Sequence, residues 1–270
     1  MRIRAALDLY ANIRPIRLMA GAPRRLSGVV PGQMNFTIVR ENTEGLYAAR
    51  GGGNILRGEL ATDTLVVTRK GIERITHRAA QIALSGHGAP VDDVKRVTIV
   101  DKANVLRSYA FFRQVADDVL ATYPEIEVQH VIVDAMTVHM IERPEIFDVV
   151  VCENIFGDIL SDLGAAIMGG LGLAPSGETG DVHGMFQGSH GSAPGIAGQD
   201  IANPVACILS GAMMLAWLGE RYDDNRLSIA AQRVQKATEA VLTGGRHVTT
   251  DLGGSSSTST CADAICAAMG

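Results

Sequence analysis

Two aspartates stand four residues apart in ENIFGDILSD, residues 153–162, a stretch rich in apolar side chains. If this segment is helical, Asp158 and Asp162 project from the same face. Carboxylate oxygens are the ligands that Mg²⁺ and Mn²⁺ prefer, so the pair is a candidate metal site. A helix N-cap followed by a solvated surface acid is the alternative, because glycine precedes Asp158 and aspartate is favoured at a helix start.

Further charged groups follow predicted strands. Lys102 comes directly after RVTIVD, Asp134 ends IEVQHVIVD, and the aspartate pair follows FDVVVCEN. Each residue alone would also fit a turn. Because α/β proteins place their sites at the carboxyl ends of strands, the three groups are predicted to meet in one crevice. Together they fit a metal with an acid–base lysine.

Arginines form a second set of candidates. Arg4, Arg14 and Arg40 carry planar guanidinium groups, which suit the binding of carboxylates. Tyr47 lies seven residues after Arg40 in VRENTEGLY. Ordinary surface arginines and a half-buried packing tyrosine are the alternatives. This set indicates a site for a small acidic substrate.

The elements that must position these residues alternate between strands and helices, which predicts βαβ units and the α/β class. Strands are predicted at 36–42, 64–69, 96–101, 126–134 and 147–154, and helices at 69–84, 107–123, 157–168, 204–220 and 227–245. Two stretches rich in Gly, Ser and Pro, 169–181 and 188–204, bracket a strand-like segment at 182–186. Long loops of this kind are usually functional. The second holds His190 and could accept a nucleotide, although it is not a G-x-G-x-x-G fingerprint.

Composition limits the class of protein. The 270 residues are 47% hydrophobic and 20% charged, with a net charge of −5, which indicates a globular protein and argues against nucleic acid as the main partner. No apolar run is long enough to span a membrane, and the N-terminal sequence lacks the apolar core of a signal peptide, so cytoplasmic location is predicted. The cysteines are interpreted as free thiols: Cys152, Cys207, Cys261 and Cys266.

Seven motifs occur in order along the chain: LDLYANIRP, VRENTEGLY, DKANVL, ENIFGDILSD, GLGLAPS, HGSAPGIAG and IANP. From residue 2 to about residue 260 they closely resemble the isocitrate/isopropylmalate dehydrogenase family, which includes tartrate and D-malate dehydrogenases. The resemblance implies an isopropylmalate dehydrogenase-like two-domain α/β fold. It also implies metal- and NAD(P)-dependent oxidative decarboxylation of a 2-hydroxy acid.

The resemblance also implies a role for each candidate. Asp158 and Asp162 hold Mg²⁺ or Mn²⁺ with Asp134 of the other subunit of a homodimer, and K⁺ is a further candidate ion. Lys102, also from the other subunit, is the base, and Tyr47 is the acid. The arginines bind substrate carboxylates. The residues assigned to the cofactor are His190, Gly191, Ala193, Gly195, Ile196, Asn203 and Asp251.

A division into domains follows from the same resemblance. Residues 10–168 are expected to form a small domain, with an arm near 31–65 that clasps the partner subunit. Residues 1–9 and 169–270 are expected to form the remainder of the large cofactor-binding domain. About 90 residues of the family pattern would precede Arg4, so the large domain is expected to be incomplete, with unpaired sheet edges.

The chain departs from the family pattern at two places near the cofactor residues. Gln187-Gly188-Ser189 stands where relatives have Glu-Pro-Val, and Gly195-Ile196 lacks the Lys and Tyr of NADP-dependent members. NAD is therefore favoured over NADP. Malate or tartrate, isopropylmalate and isocitrate all remain open as substrates. A truncated or catalytically silent member that acts as a binding or regulatory subunit is the alternative function.

Overall fold

The structure is a computed structural model that describes residues 2–48 and 51–270. Ala49 and Arg50, inside the predicted arm, and Met1, inside the predicted segment 1–9, lie outside the described residues. The strands are β1 Ala11–Arg17, β2 Asn35–Glu41, β3 Asn54–Leu56, β4 Leu60–Thr62, β5 Arg96–Asp101, β6 Glu127–Ile132, β7 Val149–Cys152, β8 Pro175–Thr179 and β9 Gly184–Gly188. The helices are α1 Arg2–Ala6, α2 Arg69–Ser85, α3 Arg107–Leu120, α4 Val133–Glu142, α5 Asn154–Ile167, α6 Val205–Tyr222, α7 Asn225–Gly244 and α8 Thr258–Ala268.

Strands and helices alternate as the sequence predicts, and the α/β class is confirmed. The predicted strands at 36–42, 96–101 and 147–154 correspond to β2, β5 and β7. All five predicted helices are present, as α2, α3, α5, α6 and α7. The apolar stripe of each helix was long enough to give the 3.6-residue period clearly.

Seven strands form one sheet in the order β6-β5-β7-β2-β1-β8-β9. Strand β7 pairs in parallel with both β2 and β5, and β5 pairs in parallel with β6. Both β5 and β7 are buried along their whole length, as expected for parallel strands with both faces covered. The carboxyl ends of four neighbouring strands, β6, β5, β7 and β2, therefore lie at one edge of the sheet.

The chain divides into two compact units. The first contains the described residues up to Ile13, Asn35–Ser161 and Glu178–His183, and the second contains Arg14–Met34, Asp162–Gly177 and Gly184–Gly270. The predicted small domain at 10–168 and the predicted assignment of 1–9 and 169–270 to a large domain stay predictions.

The core of the first unit forms where helix α2 covers the parallel strands. Ile72 and Ile75 of α2 belong to one buried cluster with Val97, Ile99 and Val149 of the sheet. The helix begins at Arg69 because the side chain of Thr68 accepts a hydrogen bond from the backbone N–H of Gly71, which caps the first turn. This packing holds the carboxyl ends of the strands in a fixed frame.

Three local predictions are wrong. The segment 64–69 was predicted as a strand, but only Val66 forms a single bridge, to Gly45, and Thr68 instead caps α2. The stretch 169–181 was predicted as a loop, but it contains β8, whose five residues are all buried. Asp134 does not end a strand, because β6 stops at Ile132 and Asp134 is in the first turn of α4. The helix dipole favours a carboxylate at that position.

Strands β3 and β4 form a separate antiparallel hairpin within the predicted arm. Its turn uses left-handed backbone at Arg57 and Gly58. Ile55, Leu56 and Leu60 are all more than half exposed, with Ile55 the most open at 77%. Within residues 2–48 and 51–270, no helix is both long enough and apolar enough to cross a membrane.

Candidate active site

The carboxyl edge of the parallel strands carries most of the predicted catalytic residues. Lys102 follows β5, and Asp134 lies two residues after β6. Arg40 is near the end of β2. Asp158 lies in α5, which begins directly after β7. Because these strands are parallel and adjacent, the side chains that follow them lie at one edge of the sheet. α/β proteins commonly place their sites at this edge.

Arg40 is the most deeply buried of these charged side chains, with 1% of its surface exposed. Its Nε donates a 2.9 Å hydrogen bond to Oδ1 of Asn154, and its Nη1 forms an ion pair with Asp158. A Cβ on Gly157 would lie 2.5 Å from the Cβ of Arg40. Gly157 is therefore explained by the close passage of Arg40 and not by a helix start, which lies at Asn154.

Tyr47 completes this cluster. Its hydroxyl donates a 3.0 Å hydrogen bond to Oδ2 of Asp158, and its ring centroid lies 5.8 Å from the guanidinium carbon of Arg40. Burial, followed by the hydrogen bond to the Asp158 carboxylate, raises the pKa of the Tyr47 phenol. The phenol therefore keeps its proton at neutral pH and can act as an acid.

The turn that carries Tyr47 is fixed by two carboxylates, of which Glu41 is buried. Glu41 accepts hydrogen bonds from the backbone N–H of Thr43 at 2.9 Å and of Glu44 at 2.6 Å. Glu44 in turn accepts from the backbone and hydroxyl of Thr68, and its carbonyl accepts from the amide of Asn154. Sequence reasoning missed Glu41 and Asn154, whose side chains carry no pattern that would distinguish them from turn residues.

Arg4 lies in α1 and is held by an acid that sequence reasoning also missed. It forms an ion pair with Glu178, and its Nε donates a 2.9 Å hydrogen bond to Oε2 of that residue. Asn12 donates to the same carboxylate at 3.4 Å. Arg4 lines a cavity of about 600 Å³ in the first unit, together with Arg2, Ala5, Asn42, Thr43, Tyr47, Ala48 and Gly51. The cavity thus combines two guanidinium groups with the phenol of Tyr47.

Lys102 and Asp134 form a pair of their own. The Lys102 ammonium lies 2.5 Å from Oδ1 of Asp134, and the Asp134 side chain is 70% exposed. The hydrogen bond from Lys102 lowers the pKa of the Asp134 carboxyl. Within the described residues, no hydrogen bond or ion pair joins Lys102 or Asp134 to Asp158. The Asp158 carboxylate instead contacts Arg40 and Tyr47.

Asp158 and Asp162 both lie in α5, one helical turn apart. The Asp158 side chain is 42% exposed, and Asp162 is exposed. No group of three or more metal-ligating side chains forms in the part of the chain that the structure describes. Two exposed carboxylates suit Mg²⁺, which keeps several waters and takes one or two protein carboxylates.

Arg14 lies in β1 and belongs to the second unit. Only 6% of its surface is exposed. A buried guanidinium must be paired, and Arg14 does have partners in the structure. The three predicted substrate arginines are therefore distributed over both units, with Arg4 and Arg40 in the first.

The predicted nucleotide-binding residues lie in the second unit. The amide of Asn203 donates a 3.0 Å hydrogen bond to Oδ2 of Asp251, and the Asn203 Oδ1 accepts from the backbone N–H of Val205 at the start of α6. A Cβ on Gly172 would lie 2.8 Å from the Cβ of Asn203, so only glycine fits there without a shift. The structure thus brings Asn203 and Asp251 together beside a glycine.

The loop that contains His190 is exposed throughout residues 190–200. His190 Nδ1 lies 2.9 Å from the carbonyl oxygen of Gly191, and Ala193 has left-handed backbone with a φ of 44°. A short 3₁₀ turn at Pro194–Ile196 includes Gly195. A Cβ on Gly188 would lie 2.4 Å from His190 Nε2, so the imidazole ring packs directly against this glycine.

Comparisons with known proteins extend over nearly the whole chain. A family model described as isocitrate/isopropylmalate dehydrogenase matches residues 1–266. The isocitrate/homoisocitrate dehydrogenase of Thermus thermophilus is 44% identical, over 99% of this chain and 73% of that relative. The 3-isopropylmalate/3-methylmalate dehydrogenase of Methanocaldococcus jannaschii is 42% identical, over 96% and 73%. The crystal structure of isocitrate dehydrogenase from Methylococcus capsulatus matches with a TM-score of 0.87 at 40% identity, over 99% of this chain and 75% of that one.

Proposed function

Since the chain belongs to the isocitrate/isopropylmalate dehydrogenase family, we propose that it catalyses the metal-dependent oxidative decarboxylation of a 2-hydroxy acid with NAD as hydride acceptor. The cluster of Arg40, Tyr47 and Asp158 carries this proposal. In this cluster Arg40 would bind a substrate carboxylate, Tyr47 would donate a proton, and Asp158 would be a ligand for a divalent cation. Hydrogen bonds join all three residues. The similar proteins named above are dehydrogenases of hydroxy acids, in agreement with this chemistry.

Substrate binding is assigned to Arg4, Arg14 and Arg40. Each guanidinium can form two parallel hydrogen bonds to one carboxylate, which fixes the orientation of the acid as well as its charge. Arg2 lines the same cavity as Arg4 and adds a further positive charge. This charge favours a substrate whose third substituent is itself a carboxylate, as in isocitrate, over one with a branched alkyl group.

The divalent cation is assigned to Asp158 and Asp162, with Asp134 contributed by a second copy in a homodimer. When bound, the cation would polarise the oxygen on C2 and NAD would accept the hydride. Asp158 is held ready for this role, because Arg40 and Tyr47 fix its carboxylate while 42% of the side chain stays open. The exposure of Asp134 at 70% leaves it available to a neighbouring subunit.

Proton transfers are assigned to Lys102 and Tyr47. Lys102 of the second copy, in its neutral amine form, accepts the proton from the C2 hydroxyl as that carbon is oxidised. Release of the β-carboxylate as CO₂ leaves an enolate, and the Tyr47 phenol delivers a proton to the carbon that carried the carboxylate. The arginines hold the acid in one orientation throughout, which supplies much of the rate enhancement.

NAD is favoured over NADP by the charge of the second unit's candidate residues. The loop that carries Gly195 and Ile196 has no lysine or arginine between His190 and Pro204 to pair with a 2′-phosphate. Asp251 instead places a carboxylate beside Asn203, which would accept ribose hydroxyls and repel a phosphate. His190, Gly191 and Ala193 would line the adenosine side of the same site.

The first test is NADH formation by the purified protein with Mn²⁺ and K⁺. The panel is isocitrate, homoisocitrate, 3-isopropylmalate, D-malate and tartrate, and isocitrate is expected to be the best substrate. Tyr47→Phe should lower kcat by about 100-fold or more, the usual contribution of a general acid, whereas Tyr222→Phe on the exposed end of α6 should be neutral. A folded protein that reduces NAD with none of these acids would contradict the proposal and favour a binding or regulatory role.

A further inference from the structure

Glu153 has a buried carboxyl that the proposed mechanism does not use. The residue stands between β7 and α5, and 1% of its surface is exposed. Its Oε2 accepts hydrogen bonds from the Tyr109 hydroxyl at 3.0 Å and from the backbone N–H of Ile155 at 3.2 Å. Its Oε1 is buried and has no hydrogen-bond partner among the residues that the structure describes. A buried polar atom left in this state needs a reason, because its desolvation is costly.

The unpartnered oxygen lies directly against Gly45. A Cβ built on Gly45 would come within 1.8 Å of Glu153 Oε1, and Gly45 has a φ of 78°, so two separate constraints require glycine. Gly45 belongs to the turn that ends in Tyr47, and its backbone N–H donates to the carbonyl of Val66 at 2.7 Å. The Glu153 carboxyl therefore packs against the turn that contains Tyr47, the proposed general acid.

We propose that Glu153 is a positioning residue for Tyr47, and that its buried carboxyl fills the space beneath Gly45 and fixes the turn that directs the Tyr47 hydroxyl to Asp158. The proposal rests on the role of Tyr47 given above. The turn is held from its other side by Asn154, whose amide donates to the carbonyl of Glu44 at 2.8 Å. Two consecutive residues that follow β7, Glu153 and Asn154, thus both contact the turn.

The carboxyl acts through its shape and not through its charge. Burial raises the pKa of Glu153, with Arg40 and the hydrogen bonds from Tyr109, Ile155 and Phe156 acting in the opposite direction. Tyr109 stays a hydroxyl donor, since burial and the neighbouring Glu153 raise its own pKa. The Phe156 ring stacks on Tyr109 with centroids 4.7 Å apart, which fixes the donor in place. A neutral group of the same size should therefore replace the carboxyl.

Three variants of the full chain test this. Glu153→Ala should lower kcat by about 30-fold with KM within twofold, since a displaced catalytic group loses rate more than binding. Glu153→Gln keeps size and the acceptor for Tyr109, and should retain kcat to within about threefold. Asp148→Asn alters another buried carboxyl, just before the opposite end of β7, and should leave both kcat and the exchange of residues 44–47 unchanged.

Hydrogen exchange supplies a readout that does not depend on turnover. Backbone amides of residues 44–47 should exchange faster in Glu153→Ala than in the parent protein, and should be unchanged in Glu153→Gln. If the parent reduces NAD with none of the acids, the proposed function fails, and the exchange rates still decide the positioning role. If Glu153→Ala does not fold, Tyr109→Phe, which removes only one hydrogen bond, should show the same faster exchange to a smaller degree.

Two results would overturn the inference. One is full kcat and unchanged hydrogen exchange at residues 44–47 in Glu153→Ala, which would mean that the turn keeps its conformation without the Glu153 side chain. The other is a Glu153→Gln protein as impaired as Glu153→Ala, which would mean that the acid itself, and not the filled space, is required.

Discussion

The hydroxyl of Tyr47 lies 3.0 Å from Oδ2 of Asp158, while the other oxygen of that carboxylate accepts from the buried guanidinium of Arg40. A residue of a turn, a residue of a strand and a residue of a helix thus meet at one carboxylate. In the proposed mechanism these two hydrogen bonds hold the proton donor, the cation ligand and the substrate-binding arginine in one arrangement. Preorganised groups of this kind account for much of the rate enhancement of enzymes.

Arg40→Lys should raise the KM for the hydroxy acid by about 10- to 100-fold, since hydrogen bonds to charged groups contribute about 1.5–3 kcal/mol. Lysine keeps the charge but loses the planar fork and the bond to Asn154. Steady-state kinetics measure the change. Arg17→Lys is the control, because Arg17 pairs with Glu239 at the surface and should leave KM within about twofold. Equal KM values for the two variants would count against Arg40 as a substrate ligand.

Asp158→Asn should weaken Mn²⁺ binding at least about 10-fold, because an amide replaces a charged oxygen ligand. Calorimetry with Mn²⁺ and the substrate acid measures this directly. Asp263→Asn, on the exposed side of α8, is the control and should bind as the parent does. Chelation with EDTA should abolish NADH formation by the parent, and added Mn²⁺ should restore it. Unchanged Mn²⁺ affinity in Asp158→Asn would remove Asp158 from the ligand set.

Mixing two inactive variants tests the sharing of the site between subunits. Lys102→Ala and Asp158→Asn should each be inactive alone. After subunits exchange, half of the dimers are mixed and each mixed dimer holds one intact site, so activity should return to about a quarter of the parent value. Mixing Tyr47→Phe with Asp158→Asn is the control and should restore nothing, because both residues belong to the same cluster. No recovery in the first mixture would place Lys102 in its own subunit's site.

Two acids beside Arg96 should give opposite dependences of stability on pH. Burial raises the pKa of Asp148 above its ordinary 3.8, so the folded protein holds this proton more tightly than the unfolded chain does. The free energy of unfolding should therefore fall as pH rises from about 3.8 through the folded-state pKa. Asp148→Asn should reduce that fall, as measured by urea denaturation over the acidic range.

Asp92 also lies beside Arg96, but its pKa is shifted in the opposite direction to that of Asp148. The hydrogen bond from Arg96 lowers its pKa below 3.8, so its contribution to stability is present above 3.8 and is lost as pH falls through the folded-state pKa. Asp92→Asn should reduce the loss of stability at low pH. Above pH 3.8 the dependence of the unfolding free energy on pH should be unchanged. The same direction of change in both variants would contradict the two pKa shifts.

The sequence by itself determined the class and most of the elements, because long helices such as α2 and buried strands such as β5 impose clear periods on their residues. It also determined the candidate residues, through motifs that place Lys102 and Asp158 after strands. It missed β8, since Pro175–Thr179 is small and polar and its burial comes from neighbours distant in the chain. It placed Asp134 in a strand, because the apolar residues Val131 and Ile132 at the end of β6 are followed directly by Val133 of α4.

Only the tertiary structure decided how the candidates meet. Tyr47 joins Asp158 across more than a hundred residues of sequence, and no local pattern encodes such a contact. The same holds for Glu178 beneath Arg4 and for Glu153 beneath Gly45, whose types alone would suit a solvated surface. Burial limits the states that these carboxyls can adopt, because a carboxyl group removed from water must be paired with a charge, hydrogen-bonded or neutral. The sequence therefore indicated the candidate residues, and packing decided which of them lie in contact.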